Sequence, residues 1–181
     1  HQANYLELRF QKEQPELQSL TWRSHKASMI LELKASAEEL FTAFPPKLRS
    51  QIRRPSKSGA YAEAYPGGGA HKAALSDFYA VFAEHMRDLG TPVYPKNLFE
   101  TALGEFPSTA RIIVVRHQGK PISAGITLGF GERTEMPWAA SLRAYNKMSP
   151  NMLLYWEAIK QACLDGYKEF DFGRSSKDSG T

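Results

Sequence analysis

Arg49, Arg53 and Lys57 recur every four residues in the segment KLRSQIRRPSKSG, residues 47 to 59. On a helix that spacing places three cations on one face. Lys47 and Arg54 bring the count to five between residues 47 and 57, with no acid among them. The chain carries 23 Lys and Arg against 19 Asp and Glu, so without these five the balance would be 18 to 19. Like charges at four-residue spacing repel by roughly 0.2–0.5 kcal/mol per pair, a cost that an anion against the face would offset. Arginine makes forked contacts to phosphate, so the implied chemistry is the binding of a phosphate-bearing ligand. The alternative is a solvated face, or pairing with distant acids such as Glu38 or Asp171.

Two further constellations hold polar groups at element ends. Arg143 and Lys147 precede SPNM, in which Ser149 is placed to cap a helix, Pro150 to open it and Asn151 to follow. Free N–H groups and two cations there suit an anion; an ordinary capped helix is the alternative. FDFGRSS ends a strand with Asp171 and Arg174, where side chains are placed to meet a ligand or form a surface turn. Other chemistries lack their signatures. PGGG (66–69) has no Gly-Lys-Ser/Thr after it, and His71, His85 and His117 show no metal-ligand spacing. There is no GxSxG elbow. Tyr145, Tyr155 and Glu135 could move protons, but no spacing singles out a general base.

The elements that must hold these groups follow from periodicity and punctuation. NYLELRF (4–10) alternates as a strand, and ASMILEL (27–33) reads as a second, more buried one. Ser36 with Glu39 is a capping box opening a helix. Pro46 starts the basic helix, with Leu48 and Ile52 inward and Pro55 and Gly59 closing it. AYAEAY (60–65) reads as a strand. Leu75, Phe78, Tyr79, Phe82, Met86 and Leu89 mark a helix over 71–89, and 96–106 is another. ARIIVVRH and ISAGITLGF form a hairpin, and MPWAAS (136–141) is a further strand. A helix follows Ser149, with Met152, Trp156, Ile159 and Cys163 inward, and YKEFDFG (167–173) is the last strand. This order predicts an α+β fold, a mixed sheet with helices on both faces.

A chain of 181 residues, 42% hydrophobic, suits one filled core, or a core plus a small attached lobe. No apolar run approaches the ~20 residues of a membrane span. The single cysteine, Cys163, excludes an internal disulfide and suits a reducing compartment such as the cytoplasm. The start at His1 and the polar end RSSKDSGT read as a piece of a longer chain.

Taken together, KLRSQIRRPSKSG, HMRDLGTPVYPKNLFE, ISAGITL and SPNMLLYWEAIKQACLDGYKEFDFGRSS resemble the FemAB-like proteins of the GNAT-related acyl- and aminoacyltransferase superfamily. The likeness is to the branch associated with PEP-CTERM exosortase and exopolysaccharide systems. The resemblance implies two GNAT-like halves with largely antiparallel mixed sheets. Residues 1–34 would be the terminal strands of a truncated first half, and 36–181 the second, without its C-terminal segment. It implies N-acyl or aminoacyl transfer to an amine of a cell-envelope precursor (peptidoglycan or exopolysaccharide), with acyl-CoA or aminoacyl-tRNA as donor. Phosphate binding falls to Arg49, Arg53, Arg54 and Lys57. Arg143, Lys147, Ser149 and Asn151 would form a second anion site, and Asp171 and Arg174 would orient the acceptor. Implied partners are tRNA or a phosphate-bearing small molecule, a membrane-surface acceptor and the missing half. One departure is that LRAYNKMSPN carries no glycine where coenzyme-A-using relatives have a pyrophosphate loop. The competing expectation is a non-catalytic module that binds nucleic acid or an anionic glycolipid through the basic helix.

Overall fold

The computed structural model describes residues 4–8, 10, 14–21, 25–69 and 71–176. Past a 3-10 turn at Pro15–Leu17, the first strand is β1, Lys26–Glu32. Ser36 then caps α1, Ala37–Ala43: its Oγ accepts the Glu39 N–H at 3.1 Å, as the capping box predicts. Pro46 opens α2, Pro46–Lys57. Gly59, at φ +82°, turns the chain into β2, Ala60–Pro66. Two helices follow, α3 (Lys72–Asp88) and α4 (Lys96–Glu105). The hairpin is β3 (Ala110–His117) and β4 (Lys120–Phe130). Gln118 and Gly119 between them both have positive φ, which matches the hairpin turn to the strands' twist. β5 (Arg133–Ser141), a 3-10 turn (Arg143–Met148), α5 (Pro150–Leu164) and β6 (Glu169–Ser176) complete the chain.

The six strands lie in the order β1-β6-β5-β4-β3-β2. Every neighbouring pair is antiparallel except β5 with β6, which is parallel. Helices cover both faces. Phe78 and Phe82 of α3 and Phe99 of α4 pack on Ile112, Val114 and Ile126. On the opposite face Leu154, Ala158 and Ala162 of α5 pack on Ile113, Val115 and Phe170, with Leu40 of α1. β3 therefore shows an unbroken apolar run, because successive side chains enter different cores. The expected α+β class, with a mixed, largely antiparallel sheet and helices on both faces, is what the chain adopts.

Several expectations are corrected. Among its described residues, the segment 4–10 forms no strand; Tyr5, Leu6, Leu8 and Phe10 are exposed. Alternation alone does not make a strand without a neighbour to complete its hydrogen bonds. β1 lies at the sheet edge, and Met29 and Ile30 are exposed rather than buried. Pro55 does not close α2. It is buried inside the helix, which runs on to Lys57. On α5 the inward face is Leu153, Leu154, Glu157, Ala158 and Ala162 with Ile159, one step round from the expected stripe. Met152, Trp156 and Cys163 are only half-buried, and Trp156 instead receives Phe41 and Phe44 of the α1 segment at 4.9 and 6.0 Å.

A candidate active-site cleft at a strand fork

β5 and β6 run side by side for three registered pairs: Arg133 with Glu169, Thr134 with Phe170, and Glu135 with Asp171. Beyond Glu135 no further pair is made, although β5 continues to Ser141 and β6 to Ser176. The strands part where the sequence removes the means of pairing. Pro137 has no N–H to donate to a ladder. On β6, Gly173 takes φ +84°, and its N–H is captured by the Asp171 carboxylate at 2.7 Å. The base of the fork is clamped: Arg133 donates to Glu169 at 2.7 Å and lies 4.0 Å from Asp171.

Beside the open arm of β5 is a cleft of about 540 Å³. Ala139, Ala140 and Ser141 form its floor, and His85, Asp88 and Leu89 from the last turn of α3 form one wall. The other wall is Arg143 and Asn146 of the 3-10 turn with Asn151, Leu154 and Tyr155 of α5. The floor is fixed by a buried hydroxyl. Ser123 of β4 is fully buried, donates to the Ala140 carbonyl at 2.8 Å and lies 2.7 Å from Ser141 Oγ. A hydroxyl has one proton, so Ser141 donates to Ser123 and turns its lone pairs elsewhere. Tyr155 lies 5.5 Å from the Phe172 ring, and burial pushes its phenol up. The cleft is thus asymmetric, with a carboxylate and an imidazole facing a guanidinium and two amides.

Of the residues singled out by sequence, Arg143 and Asn151 line this cleft. Lys147 is exposed on the same 3-10 turn. Ser149 stands at the N-cap position of α5 in a left-handed conformation (φ 56°, ψ 49°), and its side chain makes no capping bond. Asp171 is buried at the fork, where it holds the β6 bend and faces Arg133. Its charge and burial together push the Glu135 carboxyl up, burial being the larger cause. Arg174 is exposed on β6 opposite Ser28 of β1. None of these last four lines the cleft.

The basic helix is a separate surface. α2 packs on α5 and β2 through Ile52 and Pro55. Arg53, Arg54 and Lys57 are exposed and Arg49 is half-buried. Among the described residues no ion pair joins any of the four to a carboxylate. The Arg53 guanidinium sits 4.9 Å from the Phe41 ring centroid, and Arg54 and Lys57 occupy the last helical turn, where a cation is favoured.

Sequence reasoning weighed His85 only as a metal ligand and left out Asp88, Ser141 and Pro137. A signal existed for His85 and Asp88. His85, Asp88 and Leu89 fall at i, i+3 and i+4, one helix face, and an acid in the last turn opposes the helix dipole. Among the described residues, no group of three His, Cys, Asp or Glu side chains is placed to hold a metal, and no helix is long and apolar enough to cross a membrane.

A family model described as an acetyltransferase (GNAT) domain matches residues 46–178. Over 128 residues, 69% of the chain, the sequence is 27% identical to a UDP-N-acetylmuramoylpentapeptide-lysine N(6)-alanyltransferase of Weissella viridescens, and covers 37% of that protein. The fold matches the crystal structure of FemX with a TM-score of 0.70 at 14% identity, over 87% of this chain and 55% of that one. It also matches the C-terminal domain of a putative lysylphosphatidylglycerol synthetase from Agrobacterium fabrum, with a TM-score of 0.62 at 12% identity, over 84% and 49% of the two chains. The chain therefore spans roughly a third to a half of the length of these relatives.

Proposed function

The chain belongs to the GNAT acetyltransferase-domain family and is FemAB-like in sequence and fold, and from that membership and the fork-shaped cleft we propose that it is the second half of an N-acyl or aminoacyl transferase. Residues 36–181 form that half, and residues 1–34 belong to a partner half. The acceptor is an amine of a cell-envelope precursor, of peptidoglycan or exopolysaccharide type, reached in the cytoplasm or at the membrane surface. The donor is aminoacyl-tRNA or acyl-CoA. The observation that carries the reading is the parting of β5 from β6 beside a polar cleft. Two strands that separate expose unpaired backbone N–H groups, which steady the oxyanion of a tetrahedral intermediate. Arg143 and Asn151 supply donors on the same side.

The face of α2 made by Arg49, Arg53, Arg54 and Lys57 serves in this reading as the phosphate grip for donor or acceptor. Its cations have no carboxylate partners among the described residues, which also supports a second reading, a polyanion-binding module without chemistry. A thermal-shift panel of tRNA, coenzyme A and UDP-N-acetylglucosamine separates the two. A ligand at 100 times its Kd adds about 2.7 kcal/mol, or roughly 5–11 °C for a chain of this size. One ligand alone should give that shift, and the triple change Arg49→Gln, Arg53→Gln, Lys57→Gln should abolish it. Labelled acyl transfer from alanyl-tRNA or acetyl-CoA to UDP-N-acetylmuramoyl-pentapeptide then tests the reaction. Equal shifts with every polyanion and no transfer would decide for the binding module.

A further inference from the structure

The sheet ends in two edge strands, β1 and β2, and the two are built differently. β1 is blunted: its register shifts between Ser28 and Ile30, and it carries Lys26 and Glu32 at its ends. Bulges and edge charges discourage a further strand. β2 lacks both defences. Its pairing with β3 runs from Ala60 to Pro66 without a shift, and its only charged residue, Glu63, is held by Arg116 at 2.5 Å. All of its residues but Ala60 are half-buried or exposed, and Tyr61 is 47% exposed. The ladder decides what the outer edge offers. The Gly67 N–H donates to the Ala110 carbonyl at 2.8 Å, one step beyond the Pro66–Arg111 pair. Residues of an antiparallel pair alternate between bonded and non-bonded positions. Tyr65, Glu63 and Tyr61 therefore bond to β3, while Ala60, Ala62 and Ala64 turn their N–H and C=O groups outward. Pro66, which has no N–H, falls in the outward set, where the ladder with β3 loses nothing. Among the described residues no strand pairs with this outer edge.

The strand is also a palindrome about Glu63: Ala62 matches Ala64, and Tyr61 matches Tyr65. An antiparallel partner related by a twofold axis sets each residue against its mirror position, so this edge is complementary to itself. We propose that β2 is a self-association edge, pairing antiparallel with the β2 of a second copy about an axis at Glu63. Ala62 exchanges both main-chain bonds with the partner's Ala64, and Ala64 does the same with the partner's Ala62. Tyr61 stands across from the partner's Tyr65, a favourable cross-strand aromatic pair. The two Glu63 carboxylates meet on the axis. Like charges directly opposite repel, and the Arg116 that each carboxylate already holds offsets this. β3 and β4 separate this edge from the β5–β6 fork, and the pairing does not rest on the transferase reading.

The test uses the whole chain in sedimentation velocity at rising concentration. Wild type should pass from monomer to dimer. Ala62→Pro removes an outward N–H and puts a ring in the partner's path while keeping the bonds to β3. It should weaken the dimer at least ten-fold. Met29→Lys, on the β1 edge, should leave association unchanged. Oxidative cross-linking in a Cys163→Ser background reads the register and does not depend on the proline variant. Cα atoms of a bonded antiparallel pair lie about 5.5 Å apart, within reach of a disulfide. Mixed Ala62→Cys and Ala64→Cys chains should cross-link to each other, and neither should do so alone. A monomer at every concentration, a dimer indifferent to Ala62→Pro or lost in Met29→Lys, or Ala62→Cys cross-linking to itself would each overturn the proposal. Each of these outcomes leaves the transferase reading to its own assay.

Discussion

Replacing Arg116 with Met asks how far one guanidinium fixes α3, the helix that carries His85 and Asp88, to the sheet. Arg116 of β3 donates to Glu63 of β2 at 2.5 Å and to Asp77 of α3 at 2.6 Å. Its side chain is 16% exposed, against 37% and 28% for the two acids. Breaking a fully buried pair by removing one partner costs about 3–5 kcal/mol. Solvent reaches the acids, so the expected loss is lower, about 2–3 kcal/mol near neutral pH. For a chain of this length that is roughly 4–12 °C in Tm. The pH dependence identifies the cause. Hydrogen bonding to Arg116 holds the Glu63 carboxyl below the ordinary carboxylate range, against a smaller opposing effect of burial. A depressed folded value means that the stabilisation is complete above the unfolded carboxylate value of about 4.3 and is lost as pH falls through the folded one. The gap between wild type and Arg116→Met should therefore be widest at neutral pH and close on acidification. Urea titrations at pH 7 and at about pH 3 measure both ends. An equal gap at the two would mean that the loss comes from packing of the arginine stem, and the electrostatic account would be wrong.

Other substitutions test the parts around the cleft. Phe99 is fully buried, with its ring 5.0 Å from Phe78, 5.4 Å from Phe82 and 5.1 Å from Trp138 of β5; Phe99→Ala should cost about 3–5 kcal/mol by urea denaturation. Ser123→Ala removes one of the hydrogen bonds to the buried Ala140 carbonyl and frees the Ser141 hydroxyl, for a loss of about 0.5–1.5 kcal/mol; no change in midpoint would refute the assigned bonds. A Cβ at Gly129 would lie 1.8 Å from the Tyr167 hydroxyl, so Gly129→Ala should swing the ring out, and the raised phenol titration of Tyr167 should return toward its ordinary value in a spectrophotometric scan. Ser149→Gly removes a left-handed strain worth about 1–2 kcal/mol at the expense of roughly 0.5–1 kcal/mol of backbone entropy, so Tm should rise slightly; a fall would show that the Ser149 side chain holds the turn.

The sequence made the local elements legible because they are punctuated. Ser36 with Glu39, Pro46, Pro150 and the positive-φ glycines at 59, 90 and 166 each sit where a helix or turn begins or ends. What it hid was set by neighbours in space. The alternation in NYLELRF matches a strand, yet its described residues join no ladder. The inward face of α5 lies one position from the expected stripe: Trp156 is half-buried at the margin of the core, where Phe41 and Phe44 pack on it. The cleft was half visible. Arg143 and Asn151 stand at a helix start beside positive charge; His85 and Asp88 come from a helix more than fifty residues away in sequence, brought to the cleft by the packing of α3 on β4 and β5.

That geometry bears on which donor the proposed transferase would accept. A pyrophosphate held by a backbone loop needs glycine where the chain turns left-handed, so that no Cβ stands between the N–H groups and the phosphate. Here the left-handed turn before α5 is present, but Ser149 makes it. Ser149 therefore puts a side chain where such a loop would be bare, and the cations closest in sequence, Arg143 and Lys147, belong to the preceding 3-10 turn. Among the described residues, Arg49, Arg53, Arg54 and Lys57 of α2 make no ion pair with a carboxylate. In the proposed reading, a donor whose phosphates are spread along its length could engage both α2 and the cleft. Within the proposed transferase reading, this argues for aminoacyl-tRNA rather than acyl-CoA as donor. In that proposed reading α2 gives reach and the fork chemistry, so neutralising Arg49, Arg53 and Lys57 should weaken donor affinity and its salt dependence while leaving the rate at saturating donor close to that of wild type.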